Sequence, residues 1–395
     1  MLSSRLVRAR SGLRSLHAAS TSLSNIKEWS KVDPVTLSAA NPAELSNLVN
    51  GEWTGTPAKI SVVDPLNGEV FIQAPDTRPE QCAGFIEGLR STPKSGRHNP
   101  LKRPERYLLY GRVAAEAAAR MREPEVEEHF VRLIQRVVPK STAQAQAEVR
   151  VTRAFLENFS GDQVRFLARG FSNPGDHPGQ SSHGYRWPYG GVAVIAPFNF
   201  PLEIPALQMM GALFMGNRPV VHADVKVAVV LEEFVRLLHA CGMPVDDLDL
   251  FHGRGDAMEH VLLQGRPRST LFTGSQRVAE RLSLKLGGRV FLEDAGFDWK
   301  ILGPDVRDVE HVAWQCDQDA YACTGQKCSA QSILFMHENW ARAGLEARLA
   351  ALAARRSLED FTVGPVLSWT TPAILAHVER LAAIAGARVA WGGRE

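Results

Sequence analysis

Between Gly191 and Glu293 the chain alternates short apolar runs with amphipathic stretches, and this alternation limits the fold more than any other feature. Gly191-Val192-Ala193-Val194-Ile195-Ala196 is continuously apolar, as for a strand buried on both faces. After the turn Pro197-Phe198-Asn199-Phe200-Pro201, an apolar helix is expected over about 202–215. Strands are then expected at 218–222, 248–251, 269–273 and 289–293, separated by helices at 226–240, 255–264 and 275–286. Such alternation specifies a parallel sheet with helices on both faces, and ligands of such sheets sit outside the carboxyl ends of the strands. Asn199, His222, Gly274 and Glu293 fall at those ends.

The rest of the chain is less regular. Short strands and turns are expected from Val49 to Phe71, helices over 104–138 and 143–168, and a loop or hairpin over 171–190. Beyond Gly296 the pattern restarts with a helix at 306–321 and the loop around Cys328. A strand at 332–336, helices at 338–355 and 372–384, and a strand at 388–391 follow. Residues 1–27 stand apart: Arg5, Arg8, Arg10 and Arg14 interleave with Leu2, Leu6, Leu13 and Leu16, and the first acidic residue is Glu28. A basic, acid-free, amphipathic start is the pattern of an organellar transit peptide, mitochondrial in preference to plastid, against the plainer reading of a basic tail.

Composition excludes several classes. A net charge of +2 without a basic block argues against a dedicated nucleic-acid binder. Five cysteines (82, 241, 316, 323, 328), odd in number and without a CxxC pair, argue against a disulfide framework and a structural zinc site. A zinc or redox set of Cys316, Cys323 and Cys328 lacks metal-like spacing. No apolar run is long enough to cross a bilayer.

Four places carry residues suited to chemistry. In Tyr321-Ala322-Cys323-Thr324-Gly325-Gln326-Lys327-Cys328-Ser329 a thiolate at a Gly-containing turn is placed to attack a carbonyl, and spacing alone does not choose between Cys323 and Cys328. Asn199, between two prolines, offers an amide to a developing oxyanion or simply fits its turn. Glu293 ends a strand before Asp294-Ala295-Gly296 and is a candidate general base or a solvated strand-end acid. Thr273-Gly274-Ser275 joins a strand to a helix, where free N–H groups suit a pyrophosphate; without a GxGxxG the residues alone favour an ordinary turn with Ser275 as N-cap.

Taken together, these segments resemble the aldehyde dehydrogenase superfamily. Residues 197–201 look like its oxyanion turn, 272–275 its nucleotide-side turn, 292–296 its general-base segment and 325–328 its nucleophile loop. The runs 181–190, 291–306 and 313–332 are similar to plant-type mitochondrial 1-pyrroline-5-carboxylate dehydrogenases. The resemblance implies an α/β fold with a Rossmann-type NAD-binding sheet over 28–290 and a partial catalytic domain over 291–395. It implies NAD-dependent oxidation of L-glutamate 5-semialdehyde to L-glutamate in proline degradation. In that scheme Cys328 attacks the aldehyde, Asn199 and the Cys328 backbone N–H hold the oxyanion of the thiohemiacetal, hydride passes to NAD, and Glu293 activates the water that releases the thioester. Pro197, Phe198, His222, Gly274 and Ser275 would bind the cofactor, and Phe200 and Ser329 would touch the substrate. No metal is implied, and full-length members are expected to be homo-oligomers.

Two departures from the family pattern bear on this expectation. His222 stands where the family carries a Lys for the adenosine ribose, which predicts weakened NAD binding. No Glu-Ile-Phe-Gly-Pro-type segment follows Cys328, so a C-terminally truncated form is expected. Its alternative function is that of a non-catalytic remnant binding at most nucleotide or a partner chain.

Overall fold

The computed structural model describes residues 26–393, so the expected transit peptide lies, but for its last two residues, outside the described part. A seven-stranded sheet organises the fold. Its order is Val290–Asp294, Thr270–Gly274, Gly191–Ala196, Arg218–Ala223, Asp249–Leu250, Asn47–Val49, Glu52–Thr54. The first five strands are parallel, as the alternation predicts. The last two run antiparallel and come from the N-terminal segment, joined by a tight turn with Asn50 (φ 51°) and Gly51 (φ 88°) in the left-handed region. The parallel strands grow outward in both directions from Gly191–Ala196, so the order reverses between that strand and Thr270–Gly274. The crevice opens at this switch point.

The apolar run 191–196 forms its strand because both faces are covered: Val192, Ala193 and Val194 are buried, as are Val220 and Val221 beside them. Helices Glu203–Phe214 and Ala228–Ala240 lie against the sheet, and helices Glu105–Met121, Pro124–Val137 and Thr142–Asn158 complete the same core. Each fully buried Val, Leu or Phe contributes roughly 1.5–3 kcal/mol of transfer free energy to this half.

Several elements differ from the sequence expectation. The helical stretch 104–138 is two helices, because Pro124 has no N–H to donate and begins the second one. The stretch 143–168 is a helix to Asn158 and a 3₁₀ segment over Gly161–Ala168, broken at Gly161 (φ 61°). The helix expected over 338–355 divides at Gly344 (φ 82°) into Glu338–Arg342 and Leu345–Ala353. No strand forms at 388–391, whose residues are exposed. An unanticipated strand, Asp298–Leu302, pairs in parallel with Gln331–Met336. The segment 171–190 does contain a hairpin, Gly170–Pro174 with Ser181–Tyr185. The strand Val290–Asp294 is hydrogen-bonded into the seven-stranded sheet, and the separate two-stranded sheet begins only at Asp298. Among the described residues no helix is long and apolar enough to cross a membrane.

Candidate active site

The first wall of the crevice is the turn after strand Gly191–Ala196. Pro197 and Pro201 fix its backbone and the helix Glu203–Phe214 leaves it directly. Asn199 at its apex is buried. Its Nδ2 donates to the carbonyl of Gln326 at 2.8 Å, which ties the turn to the loop carrying Cys328. The second N–H of that amide has no protein partner among the described residues, and Oδ1 is buried without one.

That loop has an unusual backbone. Cys323 (φ 50°), Thr324 (φ 58°) and Gly325 (φ 74°) are consecutive left-handed residues, a conformation that glycine tolerates and that costs about 1–2 kcal/mol at each of the others. The strain is held by specific bonds. Cys323 N donates to Gln144 Oε1 (3.1 Å) and Gly364 N to Thr324 Oγ1 (2.7 Å). Gln326 Nε2 donates to the carbonyls of Cys323 (3.2 Å) and Pro365 (3.1 Å), while its Oε1 accepts from Leu367 N (2.7 Å). The loop separates its two cysteines. Cys323 is buried with its thiol against the Asn199 carbonyl (3.8 Å), and burial pushes its pKa up. Cys328 is half-buried and lines the crevice. Cys316, on the helix Val309–Tyr321, is buried, and its pKa is likewise raised by burial.

Glu293 projects from the outermost parallel strand and is solvent-exposed. It lies opposite Thr273 in the ladder, and Thr273 Oγ1 approaches its Oε2 at 3.5 Å while accepting from Gln208 Nε2 at 2.8 Å. Because Gln208 occupies a lone pair of the hydroxyl, the Thr273 proton is directed at the carboxylate. Downstream, a Cβ built on Gly296 would meet the Cys328 carbonyl at 2.9 Å, so this close approach of the Glu293 segment to the Cys328 loop requires glycine.

On the opposite side the crevice meets two helix N-termini, at Gly255 and Gln276. Gly274 and Ser275 line it there; free N–H groups at the start of an eleven-residue helix suit a phosphate. His222 also faces the crevice. Its Nδ1 lies 3.2 Å from the Phe251 carbonyl, and burial lowers its pKa, so the ring is neutral at pH 7. The donor set and shape fit a dinucleotide, with a cavity of about 800 Å³.

Eight of the ten residues singled out in the sequence therefore share one cavity: Pro197, Phe198, Asn199, His222, Gly274, Ser275, Glu293 and Cys328. Phe200 and Ser329 lie outside its wall: Ser329 is exposed, and the Phe200 ring packs under the Lys140 ammonium at 4.5 Å. Sequence reasoning missed the supporting residues Gln144, Glu148, Lys140 and Gln208. Gln144 and Glu148 share a helix face one turn apart, which is the only signal they offered.

Comparison with known proteins agrees with this geometry. Residues 53–395 match the model of the aldehyde dehydrogenase family. The chain is 55% identical over 400 residues to mitochondrial delta-1-pyrroline-5-carboxylate dehydrogenase 12A1 of Arabidopsis thaliana, covering all of this chain and 72% of that protein. It is 59% identical over 366 residues to a probable aldehyde dehydrogenase of Linum usitatissimum, covering 93% of this chain and 66%, just under two thirds, of that one. Among solved structures, NADP-dependent glyceraldehyde-3-phosphate dehydrogenase from Bacillus halodurans C-125 in complex with NADP superposes with a TM-score of 0.75 at 26% identity, over 89% of this chain and 74% of that one. An NAD-dependent aldehyde dehydrogenase from Sinorhizobium meliloti shares the fold, with a TM-score of 0.78 at 23% identity over 90% of this chain and 71% of that one. With this fold, this cavity and these matches, the chain belongs to the aldehyde dehydrogenase family.

Proposed function

We propose that the protein is an NAD-dependent aldehyde dehydrogenase that oxidises L-glutamate 5-semialdehyde, the open form of 1-pyrroline-5-carboxylate, to L-glutamate. The observation that carries the reading is the convergence of Cys328, Asn199 and Glu293 on one cavity whose far side presents helix N-termini. The choice of substrate rests on the 55% identity to the Arabidopsis enzyme.

Each residue has a physical role. Cys328 as thiolate attacks the aldehyde carbon, and the second N–H of Asn199 Nδ2, the one not given to Gln326, donates to the resulting oxyanion. Bound NAD supplies the acceptor for the hydride. Glu293, held beside Thr273 and open to solvent, takes a proton from the water that hydrolyses the Cys328 thioester. Gly274, Ser275 and His222 form the cofactor side with Pro197 and Phe198. The acid-free Arg/Leu start of the chain, with the mitochondrial designation of the Arabidopsis relative, supports import into mitochondria. Full-length relatives as homo-oligomers follow from the family resemblance.

NADH formation from pyrroline-5-carboxylate and NAD, followed by its absorbance, tests the reading. Turnover that disappears in Cys328→Ala while NADH binding persists supports it; turnover that survives this substitution overturns it. A second reading, nucleotide binding without turnover, is favoured by the solvent exposure of Phe291, Phe297, Trp299 and Ile301 around the catalytic segment. NADH binding with no turnover by the unsubstituted protein selects that reading.

A further inference from the structure

Lys140 and Glu148 form an ion pair with Nζ and Oε2 2.9 Å apart and both side chains withdrawn from solvent, 1% and 0% exposed. Burying two charges is costly unless every donor and acceptor finds a partner. Here the partners belong to the turn 197–201 and to the start of the helix that leaves it. Lys140 Nζ also donates to the Asn199 carbonyl at 2.8 Å and sits over the Phe200 ring. Glu148 Oε1 accepts the backbone N–H groups of Leu202 (2.8 Å) and Glu203 (3.2 Å), the first free donors of the helix that leaves the turn. The pair thus grips the turn at Asn199 itself and on its C-terminal side. One helical turn earlier, Gln144 accepts the N–H of Cys323 and so holds the strained start of the nucleophile loop.

We propose that the buried Lys140–Glu148 pair is a positioning device: it fixes the Asn199 amide at the place where oxygen charge develops, while its helix registers that amide against Cys328. The inference rests on the reading of Asn199 as oxyanion donor. Neither Lys140 nor Glu148 touches the substrate; they act through Asn199. Because Asn199 Nδ2 already spends one N–H on Gln326, a small rotation of the turn misdirects the remaining one.

The test uses Lys140→Met with Glu148→Gln. This double variant leaves no unpaired buried charge. The amide oxygen introduced by Glu148→Gln can still accept from Leu202 and Glu203, so the bond to the Asn199 carbonyl is the specific loss. We expect kcat to fall by roughly 10- to 100-fold with KM for NAD nearly unchanged, a sizeable part of what removing an oxyanion donor costs. In an Asn199→Ala background the same double substitution should change kcat by less than about twofold, because residues acting through one group are non-additive. Hydrogen exchange in peptides over 197–204 should accelerate, with peptides over 218–223 unaffected. Equal loss of kcat in both backgrounds overturns the proposal, as does unchanged exchange over 197–204. If Asn199→Ala retains full kcat, or the unsubstituted protein shows no turnover, the functional reading fails, and the exchange measurement decides on positioning by itself.

Discussion

The two sides of the cavity are built to different standards. On the cofactor side, strands Gly191–Ala196 and Arg218–Ala223 are buried at all but one position each, and helix Ala228–Ala240 buries ten residues. On the nucleophile side, the strand Asp298–Leu302 alternates between half-buried and exposed positions, and helix Thr371–Ala382 buries none. Trp299, Ile301 and Phe335 lie open to solvent. Packing holds the first side, whereas named hydrogen bonds at Gln326, Thr324 and Cys323 hold the second. Dense packing is cooperative and resists local opening; a loop fixed by a few bonds opens on its own.

The chemistry should divide along the same line. Glu293→Gln removes the proposed base but leaves Cys328, Asn199 and the nucleotide side in place. A pre-steady-state burst of NADH should persist while steady-state turnover falls by about 10²- to 10³-fold. A burst lost together with turnover would place Glu293 in the first half-reaction and would break the assignment of separate roles to the two walls.

Stability should divide likewise. Leu237→Ala, fully buried in helix Ala228–Ala240, should cost about 2–5 kcal/mol in the global unfolding transition. Gln326→Ala removes three side-chain hydrogen bonds and should cost about 1 kcal/mol for each, read as faster exchange over 322–328 and weaker activity with little change in the main transition. If Gln326→Ala lowers the main transition as much as Leu237→Ala, the two sides unfold as one unit.

Much of this contrast was legible in the sequence, and the reasons are physical. The apolar run 191–196 announces a doubly covered strand, because only such a strand does without polar residues. Asn199, Gly274 and Glu293 are marked by their places at strand ends and turns, whereas only the family resemblance separates Cys328 from Cys323. The left-handed backbone at Cys323 and Thr324 was not legible, since neither residue type favours it and the bonds that hold it come from Gln144 and Gly364, far away in the chain. Strand Asp298–Leu302 escaped because it is short and follows a strand directly. Lys140 and Glu148 escaped because a charged pair in sequence reads as surface until the fold buries it.

Acid should attack the well-packed side first. Burial, with Arg106 nearby, holds His98 at about 3 instead of 6.5, and burial with Arg236 holds His239 at about 4. Both imidazoles are neutral in the fold and take up protons readily once it opens. Their contribution is therefore complete above pH 6.5 and declines as pH falls toward 4 and then 3, by up to about 1.4 kcal/mol per pH unit for each ring. Asp249 in the same sheet, raised by burial to about 6, works the other way, so the ring is read by difference: between about pH 7 and about pH 4.5 the urea unfolding free energy of His98→Phe should lose less than that of the unsubstituted protein. A slope unchanged by that substitution would remove His98 from the account.

The smallest expected effect concerns His222 and bears on how well the packed side serves its cofactor. If Nδ1–H donates to the Phe251 carbonyl, Nε2 is left as an acceptor, so toward a ribose hydroxyl the ring could accept a hydrogen bond and give none. A hydrogen bond to a neutral group contributes about 0.5–1.5 kcal/mol and one to a charged group about 1.5–3, so the lysine of the family pattern should hold NAD roughly five- to tenfold more tightly. Titration of His222→Lys against the unsubstituted protein, read by quenching of tryptophan fluorescence, measures the difference directly. Equal affinities would mean that the imidazole already does what the ammonium does, and would withdraw the expectation of weakened binding. Tighter binding by the variant, with kcat unchanged, would show that this rigid wall sets affinity while the strained loop opposite sets the rate.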